Sequence, residues 1–152
     1  MDCTIREDAL KYLQAIVGQP IGYGIKSPDL DLYDFGFGNA IEIWNAGDVL
    51  GGRYSFVLHA ICSFKIVEKS TQRAFRYYGD SLPEKFHFYF KSLLGLRVEK
   101  IELNNKNDLK IDFGDVYIVF YTIEDGDESW RFFTSKEEDP HLVASNLWLR
   151  FD

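Results

Sequence analysis

Cysteine is scarce in this chain. Cys3 and Cys62 are its only two cysteines, and they do not form a CxxC pair. Two thiols this far apart do not make a disulfide framework, which indicates reduced thiols. The leading segment lacks the apolar run of a signal peptide, and no stretch approaches the roughly 18 apolar residues of a membrane span. These absences predict a soluble cytoplasmic protein without a membrane partner.

Basic residues are also outnumbered. The chain has 17 Lys and Arg against 24 Asp and Glu, a formal net charge of −7. Nucleic-acid phosphates would meet net repulsion, so a nucleic-acid partner is not expected. The same charge is compatible with a basic protein partner, and equally with a role in solubility alone.

Metal, cofactor and phosphate signatures are missing as well. The three histidines and two cysteines are not at ligand spacing, so we predict no zinc site. The acidic turn Glu124–Glu128 lacks the spacing of an EF-hand loop. Gly36–Gly38 and Gly51–Gly52 do not precede a helix, so they are interpreted as turns between strands rather than as phosphate loops. No cofactor and no catalytic residues are predicted.

Aromatic residues, in contrast, are abundant. Phe, Tyr and Trp make up 16% of the 152 residues. Such rings favour half-buried pleated surfaces and bury large areas. The excess indicates a β-rich core, although a fraction of the rings could line a binding surface.

An internal repeat is the most informative positive feature. Thr4–Glu7 and Ser81–Glu84 both match a capping box. An apolar stripe at helical spacing follows each box, and Gly18 or Gly95 ends it. The stripe residues are Ile5, Ala9, Leu13, Ile16 and Val17 in the first copy, and Leu82, Phe86, Tyr89, Phe90, Leu93 and Leu94 in the second. The two copies are related by an offset of 77 residues.

The correspondence continues into the strands. Asp34-Phe35-Gly36 and Asp112-Phe113-Gly114 each end a predicted strand, with one residue of slippage from the offset. We therefore predict an α+β fold made of two tandem related halves, 1–78 and 79–152, each a helix followed by antiparallel strands. No linker composition separates the halves, which favours a single domain over 1–152.

Strands are predicted from period-2 patterns bounded by turn residues. In the first half they are Ile21–Ile25, Leu30–Phe35, Ala40–Trp44, Tyr54–Val67 and Arg73–Tyr78. In the second half they are Val98–Leu103, Leu109–Phe113, Val116–Ile123, Ser129–Phe133 and His141–Phe151. Predicted turns cover Asn45–Asp48, Asn104–Asn107, Phe113–Asp115 and Glu124–Asp127.

Two segments contain candidate site residues. His59 and Cys62 lie three positions apart on a predicted strand, so their side chains are expected on opposite faces. Trp130 and Arg131, residue types enriched at protein interfaces, are neighbours on another strand. The alternative places Trp130 in the core and pairs Arg131 with a nearby carboxylate.

Acidic residues precede and follow the Trp130 strand. Glu124, Asp125, Asp127 and Glu128 lie before it, and Glu137, Glu138 and Asp139 after it. A patch of this charge could steer a basic partner, whereas solvated turns would look the same in sequence. The candidate partner-binding residues are Trp130, Arg131, Glu124, Asp125, Asp127, Glu128 and His59.

The segment Leu58–Ile66 resembles a motif of a small bacterial family. Members of that family have Leu-His-x-x-Cys-Pro-Trp-Arg-Ile in mid-chain and Glu-x-Trp-Arg near the end. Here Glu128–Arg131 matches the second motif, while Ser63, Phe64 and Lys65 replace Pro, Trp and Arg in the first. Small acidic bacterial proteins of this kind often resemble immunity proteins of toxin systems.

Three functional hypotheses follow. The leading one is a non-enzymatic protein-binding domain, resembling an immunity protein that neutralises a basic toxin domain. The second is a small-ligand binder or enzyme with a cleft between the halves that brings His59, Cys62 and Arg131 together. The third is a structural domain that self-associates through its edge strands.

Overall fold

The computed structural model describes residues 3–27, 30–46, 49–77 and 83–152. Within them the chain forms two α-helices and eleven β-strands. The helices are α1 (Cys3–Leu13) and α2 (Pro83–Phe90), each continued by a short 3-10 turn. The strands are β1 (Ile21–Lys26), β2 (Tyr33–Ala46), β3 (Val49–Ala60), β4 (Phe64–Glu68), β5 (Arg73–Tyr77), β6 (Lys100–Leu103), β7 (Leu109–Asp112), β8 (Val116–Phe120), β9 (Trp130–Thr134), β10 (Leu142–Ala144) and β11 (Leu149–Phe151).

The strands form two antiparallel sheets. One has six strands in the order β1-β2-β3-β9-β10-β11, and the other has five in the order β5-β4-β8-β7-β6. Together with the two short helices this is a β-rich α+β domain, as the sequence predicts. None of the helices in the described ranges is long and apolar enough to cross a membrane.

Both sheets combine strands from the two predicted halves. In the six-stranded sheet β3 of the first half pairs with β9 of the second, and in the five-stranded sheet β4 pairs with β8. The chain crosses from one sheet to the other after β3 and again after β8. We call the β3–β9 pairing the seam. Each sheet is therefore complete only when both halves of the chain are present.

A short antiparallel bridge joins the segments that follow the helices. The Gly18 N–H donates to the Val98 carbonyl at 2.7 Å, and the Gly95 N–H donates to the Ile21 carbonyl at 2.9 Å. The two donors, Gly18 and Gly95, are 77 residues apart in the chain, and so are the two acceptors, Ile21 and Val98. Gly18 and Gly95 both have φ of 85°, a left-handed conformation that glycine adopts without steric cost. The α-helices end at Leu13 and Phe90 and their 3-10 turns at Ile16 and Leu93, so both helices stop earlier than predicted, and the two glycines lie in the turns that follow.

The core lies between the inner faces of the two sheets and the helices. In α1, Tyr12 packs edge-on against Phe132 of β9 at 5.4 Å between ring centroids. In α2, Phe90 lies 5.8 Å from Phe35 of β2, and Phe35 also contacts Phe120 of β8 at 5.3 Å. The abundant aromatic residues therefore interlock across all layers of the core, where edge-to-face packing adds to the stabilisation from burial.

Two predicted glycine turns are wrong. Gly36–Gly38 and Gly51–Gly52 both lie within long strands, β2 and β3. The predicted strands Leu30–Phe35 and Ala40–Trp44 are one continuous strand from Tyr33, which contains β-bulges between Phe37 and Glu42. Asp34-Phe35-Gly36 consequently lies inside a strand and does not end one. Of the predicted turn Asn45–Asp48, residues 47 and 48 lie outside the described residues.

Two long predicted strands are each divided in the structure. Tyr54–Val67 contributes to both β3 and β4, which lie in different sheets, with a break at Ile61–Ser63. His141–Phe151 forms β10 and β11, which turn back on each other. Each break includes an apolar residue that resembles a continuing strand in sequence but is exposed in the structure, Ile61 at 43% and Leu147 at 72%. Periodicity alone does not reveal such a turn.

The predicted helix boundaries need one correction at the start. Helix α1 already includes Cys3 and Thr4, so a cap at Thr4 would lie inside the helix. The second predicted cap, Ser81, is outside the described residues. Val17 and Leu94, assigned to the apolar stripes, are 36% and 45% exposed because the chain has left the helix by that point.

Candidate functional site

The outer face of the six-stranded sheet gathers titratable side chains at the seam. Because Phe35, Leu58 and Phe132 point into the core, their strand neighbours point to the opposite face. The strand register pairs Asp34 with His59, and His59 with Arg131. These titratable residues of three adjacent strands are therefore cross-strand neighbours on the outer face.

A cavity of about 300 Å³ opens on this face, and we call it the seam cavity. Its volume is at the lower end of the range for small-molecule sites. It is lined by Tyr23, Asp34, Arg53, Tyr54, Val57, His59, Phe133, Thr134, Ser135, Lys136, Glu137 and His141. It therefore combines aromatic walls with carboxylate, imidazole, hydroxyl and basic groups.

Asp34 is the most enclosed carboxylate of the seam cavity. Its Oδ1 accepts a hydrogen bond from the Tyr23 hydroxyl at 2.8 Å and lies 3.6 Å from Nε2 of His59. Burial raises the pKa of Asp34, although the nearby His59 and the hydrogen bond from Tyr23 oppose the rise. Among the described residues no group donates a hydrogen bond to Oδ2, which leaves that oxygen available to a ligand.

His59 is held beside Asp34 and against an aromatic ring. Its imidazole meets the ring of Phe133 edge-on at 4.9 Å between centroids. Burial lowers the pKa of His59, an effect that Asp34 partly opposes and that Arg131 and His141 reinforce. His59 is thus favoured as a neutral imidazole near pH 7.

His141 lies on the other side of Phe133. The two rings are stacked at 4.4 Å with an angle of 15° between their planes. Nδ1 of His141 is 2.9 Å from a guanidinium nitrogen of Arg131. A guanidinium only donates hydrogen bonds, so this contact requires an unprotonated Nδ1. Burial, and secondly the Arg131 charge, lower the pKa of His141.

Arg131 is the centre of an ion-pair network behind the cavity. It donates two hydrogen bonds to Glu128, at 2.7 and 3.2 Å, in a bidentate arrangement. It also lies 3.7 Å from Asp152. The bond to Glu128 is the main cause of the raised pKa of Arg131. Its guanidinium is therefore occupied within the protein and positions His141.

Two glycines create the space for the tyrosine wall of the cavity. A Cβ at Gly36 would overlap the ring of Tyr23, and a Cβ at Gly22 would overlap the ring of Tyr54. The two tyrosine rings contact each other at 5.1 Å between centroids. Glycine inside these strands is thus explained by the close approach of aromatic rings rather than by a turn.

The candidate residues named from the sequence are brought together only in part. His59, Arg131 and Glu128 belong to the network at the seam. Trp130 is fully buried, and its indole donates to the Asn107 carbonyl at 2.9 Å. The contacts of Trp130 and Arg131 are those of the alternative interpretation, a core ring beside a paired guanidinium.

The acidic turn before β9 lies at a different place. Glu124, Asp125 and Asp127 are exposed, and Glu124 lines a separate open depression. The turn is held by hydrogen bonds from the Gly126 N–H to Asn146 and from the Trp148 indole to the Gly126 carbonyl, at 3.0 and 3.1 Å. Of the acidic residues after β9, Glu137 lines the seam cavity.

Cys62 is separated from His59. It is 6% exposed and belongs to the core, and burial raises the pKa of its thiol to about 12. Cys62 lies beyond the end of β3, so its separation from His59 is not the strand alternation that the sequence predicts. Of the three residues that the cleft hypothesis combines, His59 and Arg131 meet at the seam and Cys62 does not.

Asp34, Tyr23 and Phe133 were not identified from the sequence as site residues, and His141 was noted without a role. The alternation of Tyr33, Phe35 and Phe37 indicates an outward-facing Asp34, but only the strand register shows what it faces. The pairing of β3 with β9 joins distant parts of the chain, and no local pattern specifies it.

Comparisons with known proteins add no assignment. No protein-family model matches the chain, and searches of curated proteins and of solved structures find no match. In the described part of the chain, no group of three or more His, Cys, Asp or Glu side chains is arranged to hold a metal ion.

Proposed function

We propose that the protein is a non-enzymatic binding domain that receives a basic protein partner on the outer face of the six-stranded sheet, around the seam cavity. The observation that carries this proposal is the convergence of His59, Arg131 and Glu128 with Asp34 on one face. A toxin domain neutralised by an immunity protein would be one such partner.

The residue types around the seam cavity support a protein interface. Aromatic residues and arginine are enriched in protein interfaces, and tyrosine and arginine are among the residues enriched where most of the binding energy lies. Tyr23, Tyr54 and Phe133 line the cavity and are held by contacts within the protein. Side chains ordered before binding lose less conformational entropy when the partner arrives.

The overall charge supports a basic partner. A net charge of −7 attracts a cationic protein over several ångströms and raises its association rate, especially at low ionic strength. The exposed acidic turn with Glu124 and Asp125 adds to this field outside the cavity.

A capture experiment tests the proposed function. The tagged protein is incubated with lysate of its source cell, and retained proteins are identified by mass spectrometry. We expect a basic protein that His59→Ala and Phe133→Ala lose and Phe88→Ala retains. Phe88 is the control because it is 72% exposed on α2 and lies outside the seam cavity. Retention unchanged by all three substitutions, or no specific retention, would refute the proposal.

A small ligand is the second candidate, favoured by the concave shape of the site and by the Asp34–His59 pair. Proximity of a carboxylate to an imidazole is an arrangement that general acid–base sites use. Thermal unfolding measured with a small-molecule library would show a rise in melting temperature that Asp34→Asn abolishes. No stabilisation by any compound would argue against this candidate.

We further propose that the two halves descend from a duplicated unit of about 77 residues. The shared offset in the helix ends, in the left-handed glycines and in the bridge hydrogen bonds supports this origin. Strand exchange between the halves is also what fusion of an intertwined dimer would leave.

A further inference from the structure

We propose that the seam cavity receives a single basic side chain, lysine or arginine, of the protein partner, and that Oδ2 of Asp34 accepts its hydrogen bond. The inference rests on the proposed function and specifies the partner chemistry at the cavity. It assigns to Asp34 a role that the ion-pair network around Arg131 does not require.

The hydrogen-bonding state of Asp34 leaves room for such a group. Within the described part of the chain, the polar contacts of this carboxylate, with the hydroxyl of Tyr23 and the imidazole of His59, are made by Oδ1. The side chain is 20% exposed and lines the cavity, so an entering group can reach the carboxylate. A buried carboxylate is stabilised by a cationic donor, and a charge-assisted bond is stronger than one between neutral groups.

The walls of the cavity also suit a cation. The partly exposed rings of Tyr54 and Phe133 line the cavity with the buried ring of Tyr23 behind Tyr54, and aromatic rings attract ammonium and guanidinium groups within about 6 Å. The imidazoles of His59 and His141 are favoured in the neutral form because their pKa values are lowered. They therefore add hydrogen-bonding capacity near pH 7 without repelling a positive charge.

Three basic side chains near the cavity limit what can enter. Arg131 is neutralised by Glu128 and Asp152, to which it is paired. Arg53 and Lys136 are exposed at the cavity, where solvent and salt screen them. The volume of about 300 Å³ and the repulsion from these positive charges both disfavour a second basic group in the cavity.

The unfavourable burial of the Asp34 charge points to a functional reason for a carboxylate at this position. Its raised pKa means that the ionised form is less favourable in the folded chain than in water. An asparagine would still accept the hydrogen bond from Tyr23 and would remove the desolvation cost of the charge. Perturbed carboxylates that lower stability are characteristic of binding and catalytic sites.

The test uses the full chain and a small probe of the basic side chain. N-acetyl-arginine amide is titrated into the ¹⁵N-labelled protein at pH 7.5, and N-acetyl-citrulline amide serves as the uncharged isostere. We expect amide shifts centred on Asp34, His59 and Phe133, with affinity at least tenfold higher for the arginine compound. Equal affinity for the two compounds, or shifts elsewhere, would overturn the inference.

Matched variants separate the carboxylate from general charge. Asp34→Asn is compared with Asp31→Asn, which removes the same charge from a side chain 82% exposed near Lys26. We expect Asp34→Asn to weaken binding of the arginine compound at least tenfold while unfolding at the same or a higher denaturant concentration. Asp31→Asn should change the affinity less than twofold. Equal effects of the two substitutions would contradict the role of Asp34.

The outcomes of this test and of the capture experiment are distinguishable. If a basic protein is captured and Asp34→Asn retains it as well as the wild type, the inference fails while the proposed function stands. If the arginine compound binds through Asp34 but lysate yields no specific protein, the proposed function fails while the cavity chemistry stands.

Discussion

A guanidinium nitrogen of Arg131 lies 2.9 Å from Nδ1 of His141, and this contact exists only while that nitrogen is unprotonated. The ring of Phe133 also stacks on the imidazole of His141, at 4.4 Å between ring centroids. Arg131 and Phe133 lie on β9, which pairs with β3 at the seam. The protonation state of His141 therefore affects side chains at the seam.

Stability is expected to fall as the pH is lowered below about 6.5. Burial lowers the pKa values of His59 and His141, so the unfolded chain binds protons more readily than the folded one. The stabilising contribution of the two neutral imidazoles is fully present above pH 6.5, the pKa of histidine in the unfolded chain. It is lost as the pH falls through the lower pKa values of the folded chain. Asp34 has a raised pKa and acts in the opposite direction, because its protonation on acidification removes a cost.

Urea unfolding at pH 7.5 and pH 5.5 measures this dependence. The double variant His59→Gln, His141→Gln lacks both titrating groups and should lose less free energy of unfolding between the two pH values than the wild type. An equal loss in both proteins would assign the pH dependence to other groups.

Arg131→Lys is expected to lower the free energy of unfolding by about 1 kcal/mol. Lysine cannot make the bidentate contact with Glu128 and hold His141 at the same time. The expected loss of unfolding free energy is small because the Arg131–Glu128 ion pair is partly exposed to solvent. Arg150→Lys is the control, since Arg150 is 54% exposed, pairs with Asp152 at the surface and lies over the ring of Trp148, away from Glu128. Chemical denaturation showing equal losses for both variants would contradict the central role of Arg131.

Tyr77→Phe is expected to leave stability unchanged or to raise it by up to about 1 kcal/mol. The hydroxyl of Tyr77 is buried and has no hydrogen-bond partner among the described residues, so its desolvation is not compensated by them. Tyr23→Phe makes the same chemical change where the hydroxyl donates to Asp34, and should destabilise by about 1 kcal/mol. Thermal and urea unfolding of both variants compare the two sites. A similar loss for Tyr77→Phe would indicate that its hydroxyl has a partner such as a bound water.

Separate segments 1–79 and 80–152 are expected to assemble into one folded complex when expressed together. The cut falls outside the described residues. Alone, the first segment has β3 without β9 and β4 without β8, so exposed strand edges favour aggregation over folding. Circular dichroism and analytical ultracentrifugation should show a 1:1 complex with the spectrum of the intact chain. Two segments that each fold as stable monomers would contradict the strand exchange.

Local features of the fold are well predicted from the sequence. Gly18 and Gly95 lie in the turns that follow the two helices, where both have φ of 85°, a conformation that glycine adopts without steric cost. Strands such as β1, β5 and β7 are found within one or two residues of their predicted limits. These elements depend on residues close together in the chain, whose preferences act over one or two turns.

Features that depend on distant contacts are not predicted. Gly36 suggests a turn in sequence, yet it lies inside β2. The residue there is glycine because a Cβ would overlap the ring of Tyr23. Tyr54–Val67 looks like one strand because apolar residues run through it, whereas it enters both sheets. In each case packing from another element decides the conformation.

The seam cavity shows the same division. The sequence by itself determined the alternation that turns Asp34 outward from Tyr33 and Phe35, and Arg131 outward from Trp130 and Phe132. Only the tertiary structure decided that these outward residues meet, because the register of β3 with β2 and β9 places His59 between Asp34 and Arg131. Alternation is a local property of an extended backbone, whereas strand register depends on the mutual fit of surfaces that are far apart in the chain.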